Sequence, residues 1–249
     1  NMRFHIFGKG NALAKNRHID YSFRECLLYD AETRNECRDG LMREAYAAAM
    51  STARWAWPDD KKYGTHIYDM LMQAVRIDLF GSSLTRLMCT AKDEISNVQF
   101  ALPDFPFPKG YKPTKIADMP FGDNTVISTP YDAKKWKTAL RDLSVNDFDQ
   151  QHSTLNHYSG NYYPDLKLIV IENGRHHAAA AALKQQGSAD VTVWDLAQCY
   201  PYLYTDGAYW QDTSSGAERK RYRERRVSDV RLAILYGMAQ YRWEMKSSY

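Results

Sequence analysis

The segment from Glu172 to His177 combines side chains that bind anions and side chains that transfer protons. It follows an apolar run, Leu168–Ile171, and leads directly into a tract of five alanines. The dipeptide Asn173-Gly174 favours a sharp reversal with a positive φ at the glycine. The sequence therefore predicts a strand, a tight turn and the start of a helix here.

A helix start would give this segment its chemistry. First-turn N–H groups have no intrahelical partner, and the helix dipole adds about half a positive charge. Gly174 would permit close backbone approach, and Arg175 could bind phosphate through its planar guanidinium, with Asn173 beside them. His176 and His177 could bind the same anion or transfer a proton near neutral pH. The alternative is an ordinary junction whose histidines only cap and pack.

A second candidate site is a cluster of histidines. Four of the seven histidines lie between residues 152 and 177, near three acidic residues. These side chains suit a divalent metal or an acid/base site, but their spacing matches no standard zinc pattern. We leave the metal and the cofactor open, and treat His157 and Glu172 as further catalytic candidates. The members are His152, His157, His176, His177, Asp147, Asp149 and Glu172.

A basic run near the carboxyl terminus is the third candidate. A long helix is predicted from Ala217 onwards, and its first turns would carry the run. These cations could neutralise nucleic-acid phosphates, or they could form a solvated face paired with Glu218 and Glu224. The basic residues are Arg219, Lys220, Arg221, Arg223, Arg225 and Arg226.

The aromatic segment Tyr200–Trp210 admits two interpretations. Its rings could form a stacking platform for a base, or they could pack in the core. We favour packing.

Periodicity and helix breakers outline the amino-terminal part. One helix is predicted over Cys37–Trp57 and ends at Pro58. A second covers Ile67–Leu79, breaks at Gly81, and a third begins at Leu84. Residues 1–101 are therefore mainly helical, and residues 102–124 form a proline-rich connecting segment in which a central strand is excluded.

The carboxyl-terminal part, residues 125–249, alternates strands and helices. A strand–helix–strand unit of this length favours parallel or mixed pairing in one sheet. The predicted order is strand Thr125–Ser128, helix Tyr131–Leu143, polar stretch Ser144–Asn161, strand Leu166–Ile171, helix Arg175–Gln186 and strand Asp190–Leu196.

The stretch Leu166–Leu196 resembles the ParB/sulfiredoxin-like superfamily, and Thr125–Leu143 matches its preceding strand and helix. The superfamily signature is a strand, Gly-x-x-Arg or Gly-x-His-Arg, an alanine-rich helix and another strand. Gly174 and His176 fall on the first and third motif positions. The resemblance implies binding of nucleotide or nucleic-acid phosphates, since members include CTP-binding partition proteins, nucleases, a serine kinase and sulfiredoxin.

Two motif positions depart from this pattern. His177 stands where arginine is usual, and Arg175 stands where sulfiredoxin has its catalytic cysteine, so sulfinic-acid reduction is not expected. Asn156-His157 upstream resembles an uncharacterised bacterial branch associated with plasmids and other mobile elements. That branch implies no established activity.

Composition fits an ordinary protein of the cytoplasm. Charged residues are 25% and the formal net charge is +3, which by itself does not indicate nucleic acid. The four cysteines form no CxxC pair, and neither a secretory signal nor a membrane span is visible. We expect a cytoplasmic protein without membrane contact, and leave its oligomeric state open.

These observations predict an α+β protein with a helical amino-terminal part, a ParB/sulfiredoxin-like mixed-sheet domain and a long carboxyl-terminal helix. The predicted function is phosphate-directed binding of a nucleotide or nucleic acid, with phosphoester hydrolysis by a nuclease or nucleotidase left open. The alternative is a non-catalytic interaction or DNA-binding protein of a mobile element. Whether the protein is an enzyme is not decided by the sequence.

Overall fold

The computed structural model describes residues 31–89, 105–146, 158–213 and 225–247. The chain divides into two compact units, residues 1–41 and residues 42–249. The first unit is described only from Ala31 onwards, where it is helical. All contacts below belong to the second unit.

Two long helices form the amino-terminal part, α1 (Ala31–Tyr63) and α2 (Ile67–Cys89). The predicted end at Pro58 is wrong, because α1 continues through this proline. Burial of Ala56 and Trp57 just before it offsets the lost hydrogen bond. The helix ends instead at Gly64, whose φ of +62° and N–H bond to the Asp60 carbonyl form a left-handed cap.

The predicted break in α2 at Gly81 is also wrong, and Leu84 does not begin a separate helix. Leu79 and Leu84 are both buried on either side of the Gly-Ser-Ser segment. Tertiary packing therefore outweighs the low helix propensity of that segment. None of the helices in the described ranges is long and apolar enough to cross a membrane.

A five-stranded mixed sheet forms the centre of the second unit. Its strands and the two helices between them are β1 Thr114–Pro120, β2 Thr125–Ile127, α3 Ala133–Val145, β3 Ser159–Tyr163, β4 Leu168–Asn173, α4 Arg175–Leu183 and β5 Ser188–Val193. The strand order is β1-β5-β3-β4-β2. β2 runs parallel to β4, β3 runs parallel to β5, and the pairs β3–β4 and β1–β5 are antiparallel. The helices α3 and α4 follow β2 and β4.

The mixed sheet confirms the predicted fold class, but two of its strands were not predicted. β1 lies within the proline-rich segment, and its place at the sheet edge agrees with the exclusion of a central strand there. β3 falls partly within the predicted polar stretch and lies between β4 and β5, which consequently run in opposite directions.

Helices cover both faces of the sheet. On one face, Ile169 and Ile171 of β4 pack with the alanines of α4 and with Trp136 of α3. On the other face, Leu168 and Val170 belong to a cluster shared with α1, α2 and the last helix. The alternation along β4 therefore fixes which residues face α4.

A second, antiparallel sheet contains β6 (Leu203–Thr205), β7 (Tyr209–Asp212) and β8 (Arg225–Arg226), and α5 (Val230–Ser247) follows it. A carboxyl-terminal helix is thus confirmed, but its predicted start is wrong at Arg225 and Arg226, which pair with β7 as a strand. Residues 217–224 of the predicted helix lie outside the described residues.

The aromatic segment after β5 packs mainly in the core. Tyr200, Leu203 and Trp210 are buried, whereas Tyr202 and Tyr204 are exposed.

Candidate functional site

The junction between β4 and α4 has the predicted strand–turn–helix form. Gly174 has a φ of +76° and occupies the position before the first helical residue, Arg175. It provides no side-chain cap, so the first-turn N–H groups of α4 receive no hydrogen bond from a capping side chain. An uncapped helix start is a favourable place for an anion.

Packing is a second reason for a glycine at position 174, besides the turn. A Cβ atom at this position would lie 2.3 Å from Cδ1 of Tyr158, which is buried. The tyrosine ring thus occupies the space directly above the glycine. The close approach of the Tyr158 ring to Gly174 is therefore internal packing, a role that the sequence did not indicate.

A second strand–turn–helix junction lies beside the first. Because β2 and β4 are parallel neighbours, their carboxyl ends lie side by side, and α3 and α4 both start at this end of the strands. Two hydrogen bonds connect the junctions. Ser128 Oγ donates to the Arg175 carbonyl at 2.6 Å, and the Asp132 N–H donates to His176 Nε2 at 3.2 Å.

The two helix starts differ in their capping. Asp132 Oδ1 accepts the N–H groups of Lys134 and Lys135 at 2.8 and 2.9 Å, and these bonds hold the pKa of the Asp132 carboxyl below its usual range. Helix α3 therefore already has an anionic cap. The side chains of Lys134 and Lys135, in the first turn of α3, are exposed.

Arg175 is the cation closest to the uncapped helix start. Its Nε donates to the Glu172 carbonyl at 3.0 Å, which directs the guanidinium back along the end of β4. Its two terminal nitrogens make no hydrogen bond or ion pair with any residue in the described ranges. They are available for the two oxygens of an incoming phosphate.

His176 has a buried side chain with a defined hydrogen-bond role. The residue is 8% exposed, and its ring packs edge-on against Tyr131, with the ring centres 4.8 Å apart. Burial lowers its pKa, and the nearby cations Lys135 and Arg175 lower it further, while Asp132 opposes them. Because Nε2 accepts the Asp132 N–H, the imidazole is neutral at that nitrogen and the proton lies on Nδ1.

His177 and Glu172 do not converge with His176. His177 Nε2 lies 3.6 Å from Asp142 Oδ2 on α3, so its side chain points along the helices. Glu172 is exposed on the same side of β4 as Val170, on the face opposite α4. There Glu172 Oε1 accepts from Asn161 Nδ2 at 2.7 Å, and Asn161 Oδ1 accepts from Trp194 Nε1 at 2.8 Å.

Several predicted site residues lie outside the described residues. These are His157, His152, Asp147, Asp149, Arg219, Lys220, Arg221 and Arg223. Within the described ranges, no group of three or more His, Cys, Asp or Glu residues is arranged to hold a metal ion.

The described end of the basic run lies in the second sheet. Arg225 and Arg226 are exposed on β8, and Arg226 Nε donates to the Tyr209 hydroxyl at 3.2 Å. They belong to a different sheet from the β4–α4 junction.

Sequence reasoning missed the neighbouring junction. Ser128 and Asp132 tie the two loops together, and neither was singled out. A signal was present, because Asp132 lies at the start of the predicted helix Tyr131–Leu143 and aspartate is a favoured capping residue. The burial of Tyr158 over Gly174 had no comparable signal in the sequence.

The fold defines the class of this protein as a mixed-sheet α+β protein with two strand–turn–helix junctions side by side at the carboxyl ends of β2 and β4. A family model, described as a family of unknown function (DUF6710), matches residues 32–249. The chain belongs to this family. No match was found among curated proteins or among solved structures.

Proposed function

We propose that the β4–α4 junction binds a phosphate group of a nucleotide or nucleic acid. The observation that carries this proposal is the uncapped start of α4, next to a neighbouring helix that is already capped by Asp132. The free first-turn N–H groups and the helix dipole attract an anion. The phosphate would take the place that a capping carboxylate occupies in α3.

The side chains around the junction support the same proposal. Arg175 offers two terminal nitrogens, and Lys134 and Lys135 add exposed positive charge. These three cations outnumber the Asp132 carboxylate beside them. A bidentate guanidinium and several N–H donors match the tetrahedral oxygens of phosphate.

The geometry supports binding ahead of hydrolysis. The Nε2 lone pair of His176 is engaged by a backbone N–H, and Glu172 lies on the other face of the sheet. Neither group is placed to activate a water molecule at the helix start. The alternative function is that of a non-catalytic interaction or DNA-binding protein of a mobile element, which would need no group that activates water.

The test compares binding by the wild type, Arg175→Ala and Arg141→Ala. Nucleoside triphosphates and short DNA duplexes serve as ligands, and nuclease activity is measured in parallel. Arg141 is an exposed arginine on α3, so its variant matches the change in charge. Loss of a charge-assisted bond weakens the affinity by about 10-fold or more, and only Arg175→Ala should show this loss.

Two results would contradict the proposal. One is a wild type that binds neither nucleotides nor DNA, which would leave the non-catalytic interaction alternative. The other is equal affinity for the Arg175→Ala and Arg141→Ala variants.

A further inference from the structure

Tyr131 is an exposed aromatic residue beside the β4–α4 junction. It lies between β2 and α3, and 55% of its surface is exposed. Its ring packs against the imidazole of His176, the second residue of α4, with the ring centres 4.8 Å apart. The exposed ring therefore lies against the residue that directly follows Arg175 at the proposed phosphate site.

The loop that carries Tyr131 is tied to α4 on both sides of this residue. Before it, Ser128 is buried, and its Oγ donates to the Arg175 carbonyl at 2.6 Å. After it, the Asp132 N–H donates to His176 Nε2 at 3.2 Å. The tyrosine ring is thus held at the junction before any ligand binds, and a pre-positioned ring loses little conformational freedom on binding.

His176 keeps one hydrogen-bond donor for a ligand. Its Nε2 accepts the Asp132 N–H, so the proton of the neutral imidazole lies on Nδ1. The Nδ1–H has no hydrogen-bond partner among the residues that the structure describes, and it is accessible to solvent. Because Nδ1 is the ring nitrogen nearer to the backbone, this donor lies close to the first turn of α4.

We propose that the β4–α4 junction binds a nucleotide whose base is unpaired and stacks on Tyr131, while its phosphate binds at the start of α4. The inference rests on the function proposed above and adds the base to the ligand. Every nucleobase has a π face, so an exposed tyrosine ring stacks on any of them. Arg175 and the first-turn N–H groups take phosphate oxygens, and the His176 Nδ1–H donates to an oxygen of the sugar or the phosphate.

Stacking on Tyr131 restricts the class of ligand. In duplex DNA both faces of a base are covered by its neighbours, and extruding the base costs unstacking and unpairing free energy. A free nucleotide or a single strand offers a base face directly. The chemistry shared by these ligands is an unpaired base joined to a phosphate.

The test measures dissociation constants of the full chain for adenosine triphosphate and for inorganic tripolyphosphate by isothermal titration calorimetry. Tripolyphosphate has the phosphates without a base. Stacking on one aromatic ring contributes on the order of 10-fold in affinity. Tyr131→Leu should therefore weaken adenosine triphosphate binding by about 10-fold and leave tripolyphosphate binding unchanged, whereas Tyr131→Phe should keep both affinities because it retains the ring.

The matched control is Tyr63→Leu. Tyr63 is 60% exposed at the end of α1, which packs on the opposite face of the sheet from α4. Lys62 Nζ lies 4.7 Å from the Tyr63 ring centre, much as Lys135 Nζ lies 5.8 Å from that of Tyr131. This variant removes an exposed ring from a similar environment, and it should leave both affinities unchanged.

Oligonucleotides of one sequence, as a single strand and as a duplex, identify the source of the base. A loss on Tyr131→Leu with adenosine triphosphate assigns the site to free nucleotides. A loss with the single strand alone assigns it to single-stranded nucleic acid. A loss confined to the duplex would overturn the proposal.

The remaining outcomes separate stacking from phosphate binding. Stacking is overturned if Tyr131→Leu changes neither adenosine triphosphate nor single-strand affinity, if it weakens tripolyphosphate equally, or if Tyr131→Phe loses as much. In each case the proposed function still stands when Arg175→Ala weakens tripolyphosphate binding. If the wild type binds none of the four ligands, the proposed function fails, and base stacking fails with it.

Discussion

Replacing Gly174 with alanine distinguishes internal packing from ligand approach as the reason for a glycine at the β4–α4 junction. The alanine Cβ would lie 2.3 Å from Cδ1 and 2.8 Å from Cε1 of Tyr158. Real Cβ atoms do not approach other atoms so closely. Because Tyr158 is only 5% exposed and belongs to the core, its ring cannot turn into solvent to make room.

Two contributions make up the expected loss of stability. The left-handed conformation, with a φ of +76°, costs an alanine about 1–2 kcal/mol. Overpacking against a buried ring adds about 1–3 kcal/mol. We therefore expect Gly174→Ala to lower the free energy of unfolding by about 2–5 kcal/mol.

The matched control is Gly64→Ala. Gly64 has a φ of +62°, but a Cβ there would meet no atom within 4 Å. Its loss should be the backbone contribution alone, about 1–2 kcal/mol. Urea unfolding followed by far-UV circular dichroism compares the two variants with the wild type.

The contact with Tyr158 can be tested directly by a double mutant. In a Tyr158→Leu background, Gly174→Ala should cost little more than Gly64→Ala, since the ring that causes the clash is gone. Equal losses for Gly174→Ala and Gly64→Ala in the wild-type background would refute the packing explanation. If Gly174→Ala lost no more stability than Gly64→Ala but lost nucleotide binding, the approach of a ligand would be the reason for the glycine.

Two further predictions concern His176 and β8. As pH falls below about 6.5, the unfolded chain binds a proton at His176 before the folded protein does, so stability should fall until the pH reaches the lowered folded pKa. In urea unfolding at about pH 7.5 and about pH 5.5, His176→Gln should reduce this fall, and an identical fall in both proteins would contradict the burial of His176. If β8 contacts nucleic acid, Arg225→Gln should lower the slope of log K against log salt by about 1, whereas the exposed Lys246→Gln control should not. Equal slopes for the three proteins would exclude that contact.

Local sequence signals located the candidate junction well. Apolar β-type residues, the Asn-Gly turn and the alanine tract predicted β4, the turn at Gly174 and α4, and each of these is present. The prediction succeeded because the signals act over a few residues: a positive φ at glycine and high helix propensity in alanine. The same kind of signal failed at Pro58 and Gly81, where buried neighbours keep the helices continuous.

Which side chains come together at the β4–α4 junction could not be predicted from local sequence signals. Glu172 precedes the junction in sequence, yet its side chain lies on the other face of the sheet, because residues alternate along a strand. Asp132 and Ser128, more than forty residues away, contact Arg175 and His176 because β2 and β4 pair in parallel. Strand order is set by long-range packing, which no local pattern specifies.

The sequence by itself therefore determined the fold class, the junction at Asn173–His177 and the availability of Arg175 at a helix start. Only the tertiary structure decided that His176 is buried with Nε2 engaged, and that Tyr158 fills the space over Gly174. The physical reason is that propensity and turn chemistry depend on neighbours in sequence, whereas burial, hydrogen-bond partners and electrostatic fields depend on segments that meet only in the folded chain.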